Sequence, residues 1–468
     1  MPDDQLAPSV ARARGRLSRA DFLRGAGLGA IALTSSAVLA ACGGQDSGGS
    51  SAASTSAGTS TGGGAAAADV RGTVTFFGWD VADTSAGLGK GFAAAADAWS
   101  GEHPGASVRF DGVPFDKFVA SATTRARAGK LGDLVEMLPG VNHASIFPAL
   151  VATAPSDWGP LADELSGWSA GVIDPADPNQ VAGVPIGAQG VVWYYNKALF
   201  RRAGLDPEAP PRTWAEFTAA ARALKARGIT PIGMSGVDSN LAWWAWSAFS
   251  PQAFPTVEDV LKVRTGDIPL DDPRFLRTLE PLKQTFDEGW WNDDFKDVRF
   301  TDVEAAFTRG KVAMVPGLIT SAMNWAVWDD KLGKDAYGVF AAPLIDGFDR
   351  QGQFFNPTLI YGIPQRASNP DASRSYVEYL ASADGQTILL REAGQFPNRR
   401  DVDVEAVSGS RGAQQISDIV AELGGVDVAQ NQFTAAAQGA ALQKLTTAIT
   451  GGDLEGFLKG LQQQQAQG

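Results

Sequence analysis

The stretch that decides the fold runs from Val181 to Gly236 and reads VAGVPIGAQGVVWYYNKALFRRAGLDPEAPPRTWAEFTAAARALKARGITPIGMSG. Within it, Val191 to Tyr195 is a continuous run of β-branched and aromatic residues, bounded by Gly190 and Asn196. Such a run is typical of a strand that is covered on both faces. We therefore predict a buried strand at this point of the chain.

The second half of the stretch predicts a helix followed by another strand. Thr213 can cap the helix, because its hydroxyl can accept the free amide at Glu216 while the Glu216 carboxylate reaches back. Gly228 ends the helix, and Ile229 to Met234 follows as a short strand. An apolar stripe at helical spacing is formed by Trp214, Phe217, Ala221 and Leu224. The stretch is therefore one strand, helix and strand unit of an α/β protein.

The same stretch carries an ordered series of short motifs. The series resembles the central signature of the family 1 extracellular solute-binding proteins, the maltose-binding-protein-like sugar receptors of bacterial ABC importers. That resemblance implies a two-lobed periplasmic-binding-protein type II fold of the α/β class, with discontinuous lobes and a hinge. The motifs are Gly183-Val184-Pro185, Tyr195-Asn196-Lys197, Leu199-Phe200, Ala203-Gly204-Leu205, Pro211-x-Thr213-Trp214-x-Glu216-Phe217 and Gly228-x-x-Pro231.

The resemblance also predicts how the chain divides. Lobe 1 is expected to comprise residues 70–184 and 357–394, and lobe 2 residues 185–356 and 395–468. Val181 to Gln189 would carry the chain from one lobe to the other, which places Gln189 beside the hinge and the cleft. A solute would bind between the lobes and stabilise a closed state. The closed form would then dock on the transmembrane subunits of a permease.

Composition and charge exclude several classes of function. The formal net charge is −13, and residues 1–41 carry five Arg against three Asp, a net of +2, so the rest carries −15. An acidic body repels phosphate backbones, which argues against a nucleic-acid partner. Cys42 is the only cysteine, so neither an intramolecular disulfide nor a thiolate metal cluster can form. We predict no metal and no cofactor, and a monomer.

The N-terminal region resembles a bacterial lipoprotein leader. Five Arg precede an apolar run from Ala26 to Ala41, which predicts a signal peptide over residues 1–41. Leu39-Ala40-Ala41-Cys42 resembles a lipobox, which implies a lipid on Cys42 and an anchor on the outer face of the cytoplasmic membrane. Gly43 to Asp69 holds almost only Gly, Ser, Thr and Ala and is predicted to be a disordered tether. Both Sec and twin-arginine export remain open.

Alternating strand and helix patterns between Thr73 and Leu138 predict a parallel sheet in the first lobe. Ligands of such sheets bind beyond the carboxyl ends of the strands. Trp79 and Asp80 follow the first strand and Asn142 follows the third, so all three are candidate cleft residues; Asp80 is equally consistent with a helix cap. His143 follows the turn Leu138-Pro139-Gly140, which is compatible with a position that lines the cleft, but we expect it to lie in a surface loop.

The segment Leu241 to Trp246 holds three indoles in four residues. Such a cluster is consistent with a helix that buries its aromatic face, and also with an indole that stacks on the apolar face of a pyranose. Trp243 and Trp244 are the preferred stacking pair. Adjacent helical positions point about 100° apart, which favours only one of them in the cleft.

By resemblance, four further residues are assigned to the cleft. They are Gly317, Asn356, Phe396 and Arg399, on the later strands and the final crossing of the chain. Many relatives place a tryptophan just after the position of Gly317, whereas this chain continues Leu318-Ile319-Thr320. One expected stacking platform is therefore absent from that strand.

A carbohydrate is the predicted solute, because thirteen Trp supply stacking surface and neutral polar side chains can bond paired hydroxyls. A monosaccharide, an oligosaccharide, a polyol and glycerol phosphate are all compatible with the composition. The alternatives are a membrane-anchored glycan hydrolase, which needs two carboxylates across a sugar, and a non-sugar receptor or sensor on the same fold. The carboxylate pairs Asp271-Asp272, Asp293-Asp294 and Asp329-Asp330 are better explained as caps and turns, so no enzyme is predicted.

Overall fold

The computed structural model of the protein describes residues 70–141, 143–320 and 323–467. The predicted signal peptide, the predicted tether and Cys42 lie outside these residues, as does Asn142. Eleven strands occur in the described part: β1 Arg71–Gly78, β2 Gly105–Gly112, β3 Leu134–Met137, β4 Val172–Asp174, β5 Asp177–Val181, β6 Val184–Asn196, β7 Thr230–Ile232, β8 Val312–Leu318, β9 Tyr337–Phe340, β10 Gln353–Gly362 and β11 Gly425–Val426.

The strands are interleaved with helices, as an α/β chain requires. The α-helices of the described part are α1 Gly87–Glu102, α2 Phe115–Ala128, α3 Leu161–Glu164, α4 Lys197–Ala203, α5 Trp214–Ala226, α6 Asn240–Ala253, α7 Val257–Thr265, α8 Pro273–Asp287, α9 Phe300–Thr308, α10 Trp325–Leu332, α11 Pro370–Ala381, α12 Ala383–Ala393, α13 Val404–Ser408, α14 Arg411–Leu423, α15 Ala435–Gly451 and α16 Leu454–Gln465. Short 3-10 helices include Ala144–Ala149 and Ala429–Gln432.

Nine strands form one mixed sheet. Its main path is β2-β1-β3-β10-β6-β8-β7, with β11 beside β10 and β9 beside β6. β1 is parallel to both β2 and β3, which confirms the parallel sheet predicted between Thr73 and Leu138. β10 is antiparallel to β3 on one side and to β6 on the other.

Two long strands connect the separate hydrophobic cores. β6 places Val184 and Ile186 in the core that contains β1 and α1, and its later residues in the core that contains α5, α6 and α8. β10 does the same in the opposite direction, with Phe354 in the second core and Tyr361 in the first. The chain therefore crosses between the cores at β6 and β10.

The helix α5 begins as its sequence predicts. Thr213 Oγ1 accepts the Glu216 amide at 3.2 Å, and the Glu216 carboxylate accepts the Thr213 amide at 3.0 Å. The residue after the C-cap, Gly228, has a φ of +67°, a conformation that a residue with a Cβ rarely adopts. Trp214, Phe217 and Leu224 are buried on one face of the helix. The helix is thus held by its cap and by its apolar stripe.

The region Leu150 to Pro178 holds short helices, among them α3, and strand β4, which pairs with β5. The chain is helical to Gln465, because Gln462 Oε1 accepts the Leu270 amide at 2.7 Å and Gln465 Oε1 accepts the Thr434 amide at 2.8 Å. Between α14 and α15 the chain forms β11 and a 3-10 helix.

Candidate functional site

The carboxyl ends of β1 and β3 bring four polar or aromatic residues together. Trp79 and Asp80 follow β1, and their backbone amides both donate to Glu136 Oε1 of β3, the Asp80 amide at 2.8 Å. Glu136 is fully buried, and its other oxygen, Oε2, has no partner among the described residues. We name Trp79, Asp80, Glu136 and His143 the strand-end cluster. It has the form of one wall of a ligand site.

His143 completes this cluster from the loop after β3. Its ring lies edge to face against Trp79 at 5.7 Å between centroids and is tilted against Phe118 at 5.2 Å. Nδ1 accepts the Leu138 amide at 3.0 Å, so the ring proton of the neutral form is on Nε2. Burial lowers the pKa of His143 to about 4. The prediction of a surface loop is wrong, because only 2% of His143 is exposed.

The crossing strands bring a second polar group together. Gln189 of β6 and Asn356 of β10 are direct partners in the antiparallel register. Asn356 Nδ2 donates to Asp427 Oδ1 at 2.6 Å, and Asn431 Nδ2 donates to the same oxygen at 2.6 Å. Burial raises the pKa of Asp427 to about 6 in spite of these bonds. One carboxyl group thus joins a crossing strand to the segment after β11.

Several amides in this region are buried with unpartnered atoms. Gln430 has no partner at either side-chain polar atom within the described part of the chain, and the side-chain oxygens of Asn356 and Gln432 are also unpartnered there. Each such atom costs free energy unless a water or a solute binds it. We name the five residues of this region the polar seam: Asn356, Asp427, Gln430, Asn431 and Gln432.

The polar seam contacts the loop after β3, which carries His143 of the strand-end cluster. The Val141 amide donates to the Asn431 carbonyl at 3.2 Å. Gly140 has a φ of +77°, and a Cβ at that position would lie 2.0 Å from the Asn431 oxygen. Only glycine allows this approach. The loop after β3 and the segment after β11 therefore meet directly, although they belong to the two different parts predicted as lobes.

The indoles of α6 occupy different environments. Trp246 is fully buried, and its Nε1 donates to Thr278 Oγ1 at 2.9 Å. Trp243 and Trp244 are half-buried. Trp243 lies edge to face against Phe433, which follows the polar seam, whereas Trp244 contacts Phe300. Trp246 also contacts Phe433, at 5.9 Å, and of these two indoles Trp243 is the one that keeps exposed surface.

Three other predicted site residues have extensive protein contacts. Gly317 is buried in β8, where a Cβ would lie 2.6 Å from the Met323 oxygen. Phe396 is buried against Phe355 at 6.0 Å. Arg399 donates to the carboxylates of Asp401 and Glu164, at 2.6 and 2.7 Å. Phe396 and Arg399 line a cavity of about 660 Å³ together with Asn356 and Asp427. Asn356 thus belongs both to the polar seam and to the lining of this cavity.

Two carboxylates of the Asp pairs singled out in the sequence have structural partners. Asp272 caps α8 by accepting the Arg274 amide at 2.9 Å, and Asp329 accepts the Tyr337 hydroxyl at 2.7 Å. Within the described ranges, no helix is long and apolar enough to cross a membrane. In the same part of the chain, no three His, Cys, Asp or Glu residues are grouped as a metal site would need.

Sequence reasoning missed Glu136 and most of the polar seam. Glu136 lies inside a strand, where a single carboxylate carries no motif. Asp427 follows a strand of only two residues, which is too short to show a period. One available signal was a carboxylate in the otherwise apolar run Leu134 to Met137, because buried charged residues need partners and are often functional.

The chain matches the family model for bacterial extracellular solute-binding proteins over residues 82–387. It therefore belongs to that family, whose members are extracellular binding proteins. A putative binding protein of Brucella abortus (strain 2308) is 29% identical over 327 residues, which are 69% of this chain and 75% of that relative. Family membership confirms the resemblance predicted from the motifs of residues 183–231.

Solved structures of similar fold agree with this membership. A chitin oligosaccharide binding protein has a TM-score of 0.69 and 22% identity, over 85% of this chain and 98% of its own. The solute-binding protein RafE in complex with raffinose has a TM-score of 0.64 and 20% identity, over 83% of this chain and 97% of its own. The fold of this protein is the two-lobed type II fold of these receptors, as predicted.

Proposed function

We propose that this protein is the extracytoplasmic receptor of an ABC importer and binds a carbohydrate between its two lobes. The observation that carries the proposal is the polar seam, whose buried amides have unpartnered atoms, together with the half-buried indole of Trp243, which packs against Phe433 directly after the seam. Neutral amides suit sugar hydroxyls, and an indole face suits the apolar face of a pyranose. The two similar solved proteins are a chitin oligosaccharide binding protein and RafE in complex with raffinose, which supports a sugar.

The proposed site lies where the two predicted lobes meet. Lobe 1, residues 70–184 and 357–394, contributes the strand-end cluster. Lobe 2, residues 185–356 and 395–468, contributes Trp243 and the polar seam, whose residue Asn356 lies at the predicted hinge. The contact between Val141 and Asn431 is one that a hinge motion at Gln189 and Asn356 would make and break. A solute that bridges both sides favours the closed state through its additional contacts. We propose that the closed form is what the permease recognises.

The protein is proposed to bind without catalysis. Glu136 is fully buried and accepts two backbone amides, so it is not presented to a glycosidic bond. Asp272 and Asp329 serve as a helix cap and a tyrosine partner. A glycosidase needs two accessible carboxyl groups on either side of the scissile bond. These contacts favour a receptor over a hydrolase.

Anchoring is proposed at Cys42, with the body acting as a monomer above the membrane. The support is the lipobox-like Leu39-Ala40-Ala41-Cys42 after a basic and apolar leader. Radiolabelled palmitate fed to expressing cells should label the wild type, whereas Cys42→Ala should be unlabelled and should leave the membrane fraction. A Cys42→Ala protein that stays in the membrane fraction would contradict the lipid anchor.

The decisive test of the function is calorimetry on the full chain. We expect saturable binding of at least one sugar from a panel of raffinose, chitin oligosaccharides, maltose and galactose, without release of new reducing ends. Glycerol 3-phosphate serves as the anionic comparison. Tighter binding of glycerol 3-phosphate than of every sugar would contradict the carbohydrate class, and sugar turnover would contradict the receptor.

A further inference from the structure

Glu136 differs from an ordinary structural carboxylate, because it holds a segment that the cleft uses. Its Oε1 accepts the amides of both Trp79 and Asp80, the two residues that follow β1. A carboxylate that accepts two amides fixes their positions more firmly than a neutral acceptor does. The backbone at Trp79 and Asp80 is therefore determined by a side chain on another strand.

The approach of Glu136 to this segment depends on a glycine. A Cβ on Gly78 would lie 2.4 Å from Glu136 Cδ, so any other residue at position 78 would displace the carboxyl group. Gly78 is the last residue of β1, directly before Trp79. The end of β1 is thus shaped around the Glu136 carboxyl group rather than around an apolar side chain.

Neither carboxyl group of the pair Asp80 and Glu136 is neutralised by a cation. No ion pair involves either of them in the described part of the chain, and Glu136 Oε2 has no partner there. A buried, unpaired charge is costly. Such a cost is retained at a site that has a use for the group.

Asp133, which lies at the opposite end of β3, provides a structural comparison for Glu136. It precedes β3 and is buried, and its carboxylate accepts the amides of Thr75, Ser368 and Asn369, at 2.9, 2.5 and 3.0 Å. Both of its oxygens are used. Asp133 therefore holds backbone together at the amino end of the strand, away from the cleft, whereas Glu136 does so at the carboxyl end.

We propose that Glu136 is a positioning residue of the solute cleft, which sets the placement of Trp79 and Asp80 through their backbone amides and thereby controls solute affinity without touching the solute. This inference rests on the proposed binding role of the cleft. It extends that role to a fully buried residue in the middle of the sheet. It also makes the placement of Trp79 sensitive to the protonation of Glu136, because a protonated carboxyl group is a weaker acceptor.

The pH range of that sensitivity follows from the neighbouring groups. Burial and the adjacent Asp80 raise the pKa of Glu136, and burial raises the pKa of Asp80 to about 7. His143, whose pKa is lowered to about 4, and Tyr361 of β10, whose pKa is raised, each stay in one state between pH 5 and 8. Arg125 of α2, the nearby cation, is paired with Asp111 of β2 at 2.6 Å. A change over this range therefore reports on Asp80 and Glu136.

The test uses the full chain labelled with 5-fluorotryptophan, with the Trp79 fluorine resonance assigned by Trp79→Phe. We expect the Trp79 resonance to shift with pH between 5 and 8 in the wild type and to be displaced in Glu136→Leu. Glu136→Gln preserves the shape and should reduce the pH dependence to the part that Asp80 contributes. Asp133→Asn should leave the resonance and its pH dependence unchanged. An unmoved Trp79 resonance in both Glu136 variants, or an equal displacement in Asp133→Asn, would overturn the proposal.

Binding provides the second readout, with raffinose and N,N′-diacetylchitobiose as the probes. For a probe that binds the wild type, we expect the Kd to rise at least tenfold in Glu136→Leu and by less than twofold in Asp133→Asn. An unchanged Kd in Glu136→Leu would overturn the proposal even if Trp79 moved. If neither probe binds the wild type, the solute assignment is at fault, and the fluorine spectra still decide whether Glu136 positions Trp79.

Discussion

Trp243 and Trp246 lie three residues apart on α6 and differ sharply in environment. Both rings contact Phe433, at 6.1 and 5.9 Å, and they contact each other edge to face at 5.8 Å. Trp246 is fully buried and its indole N–H is bonded, whereas Trp243 keeps part of its surface exposed. A rotation of about 60° around the helix is enough to separate the two.

The difference shows how one helix serves both the core and the cleft. Trp246 also contacts Phe275 and Phe457, from α8 and α16, so it joins three helices. Trp243 has fewer aromatic partners and lies beside the segment that ends in the polar seam. We infer that Trp246 stabilises the lobe and that Trp243 is free to contact a solute. Substitutions at the two positions should therefore affect stability and affinity separately.

The largest effect is expected for Trp246→Ala, which should lower the free energy of unfolding by about 3–5 kcal/mol because it removes a buried ring from a close-packed core. Urea unfolding followed by circular dichroism measures this loss. Trp243→Ala is the matched control and should cost less than about 1 kcal/mol. Equal losses in the two variants would show that both rings belong to the core.

A smaller effect is expected from Asp427, which holds the segment that leads to Phe433. Its pKa is raised to about 6, above the value of about 3.9 in an unfolded chain, so the folded state binds its proton more tightly. The stability from this group is therefore present at low pH and lost as the pH rises from about 4 to about 6. The full change is up to about 3 kcal/mol, from a shift of about two units.

Asp427→Asn tests this dependence, because the amide does not titrate. We expect urea unfolding at pH 4.5 and 7.5 to show a smaller difference in the variant than in the wild type. The pair Asp80 and Glu136 also has raised pKa values, so it also contributes to the pH dependence of the free energy of unfolding. Glu136→Gln measures that contribution separately. If Asp427→Asn keeps the whole wild-type difference, the titration of Asp427 is not coupled to folding.

The hydrogen bond of the Trp246 indole gives the third prediction. Thr278→Val keeps the volume of the side chain but leaves the Trp246 N–H buried without an acceptor, which should cost about 1–3 kcal/mol. Thr278→Ser is the matched control, because it retains the hydroxyl, and it should cost less. A stability for Thr278→Val equal to that of Thr278→Ser would mean that the indole finds another acceptor.

Much of the fold was predictable because its signals are local. The strand β6, the capped helix α5 and the helix α6 each follow from a run, a cap or a period within a dozen residues. The type II architecture followed from an ordered series of motifs in one stretch. The sequence at α6 also showed three indoles, but their burial depends on Phe433 and Phe457, which lie far away in the chain.

The site was less predictable, because its contacts are distant in sequence. Asp427 bonds Asn356, 71 residues away, and Val141 bonds Asn431 across the two predicted lobes. The strand β11 has two residues, so no alternation marks it. His143 was assigned to the surface because it follows a turn, and only the rings of Trp79 and Phe118 show that it is buried.

The smallest effect is expected on affinity, and it completes the comparison on α6. Trp243→Ala should weaken the binding of the best sugar of the panel roughly tenfold, because a stacked ring contributes about 0.5–1.5 kcal/mol beyond its buried area. Trp244 lies about 100° away around the helix and contacts Phe300, so Trp244→Ala should change the Kd by less than about threefold. Calorimetry on both variants makes the measurement. A larger loss for Trp244→Ala would place the cleft on the other side of α6, and the polar seam beside Trp243 would then need a different ligand for its unpartnered amides.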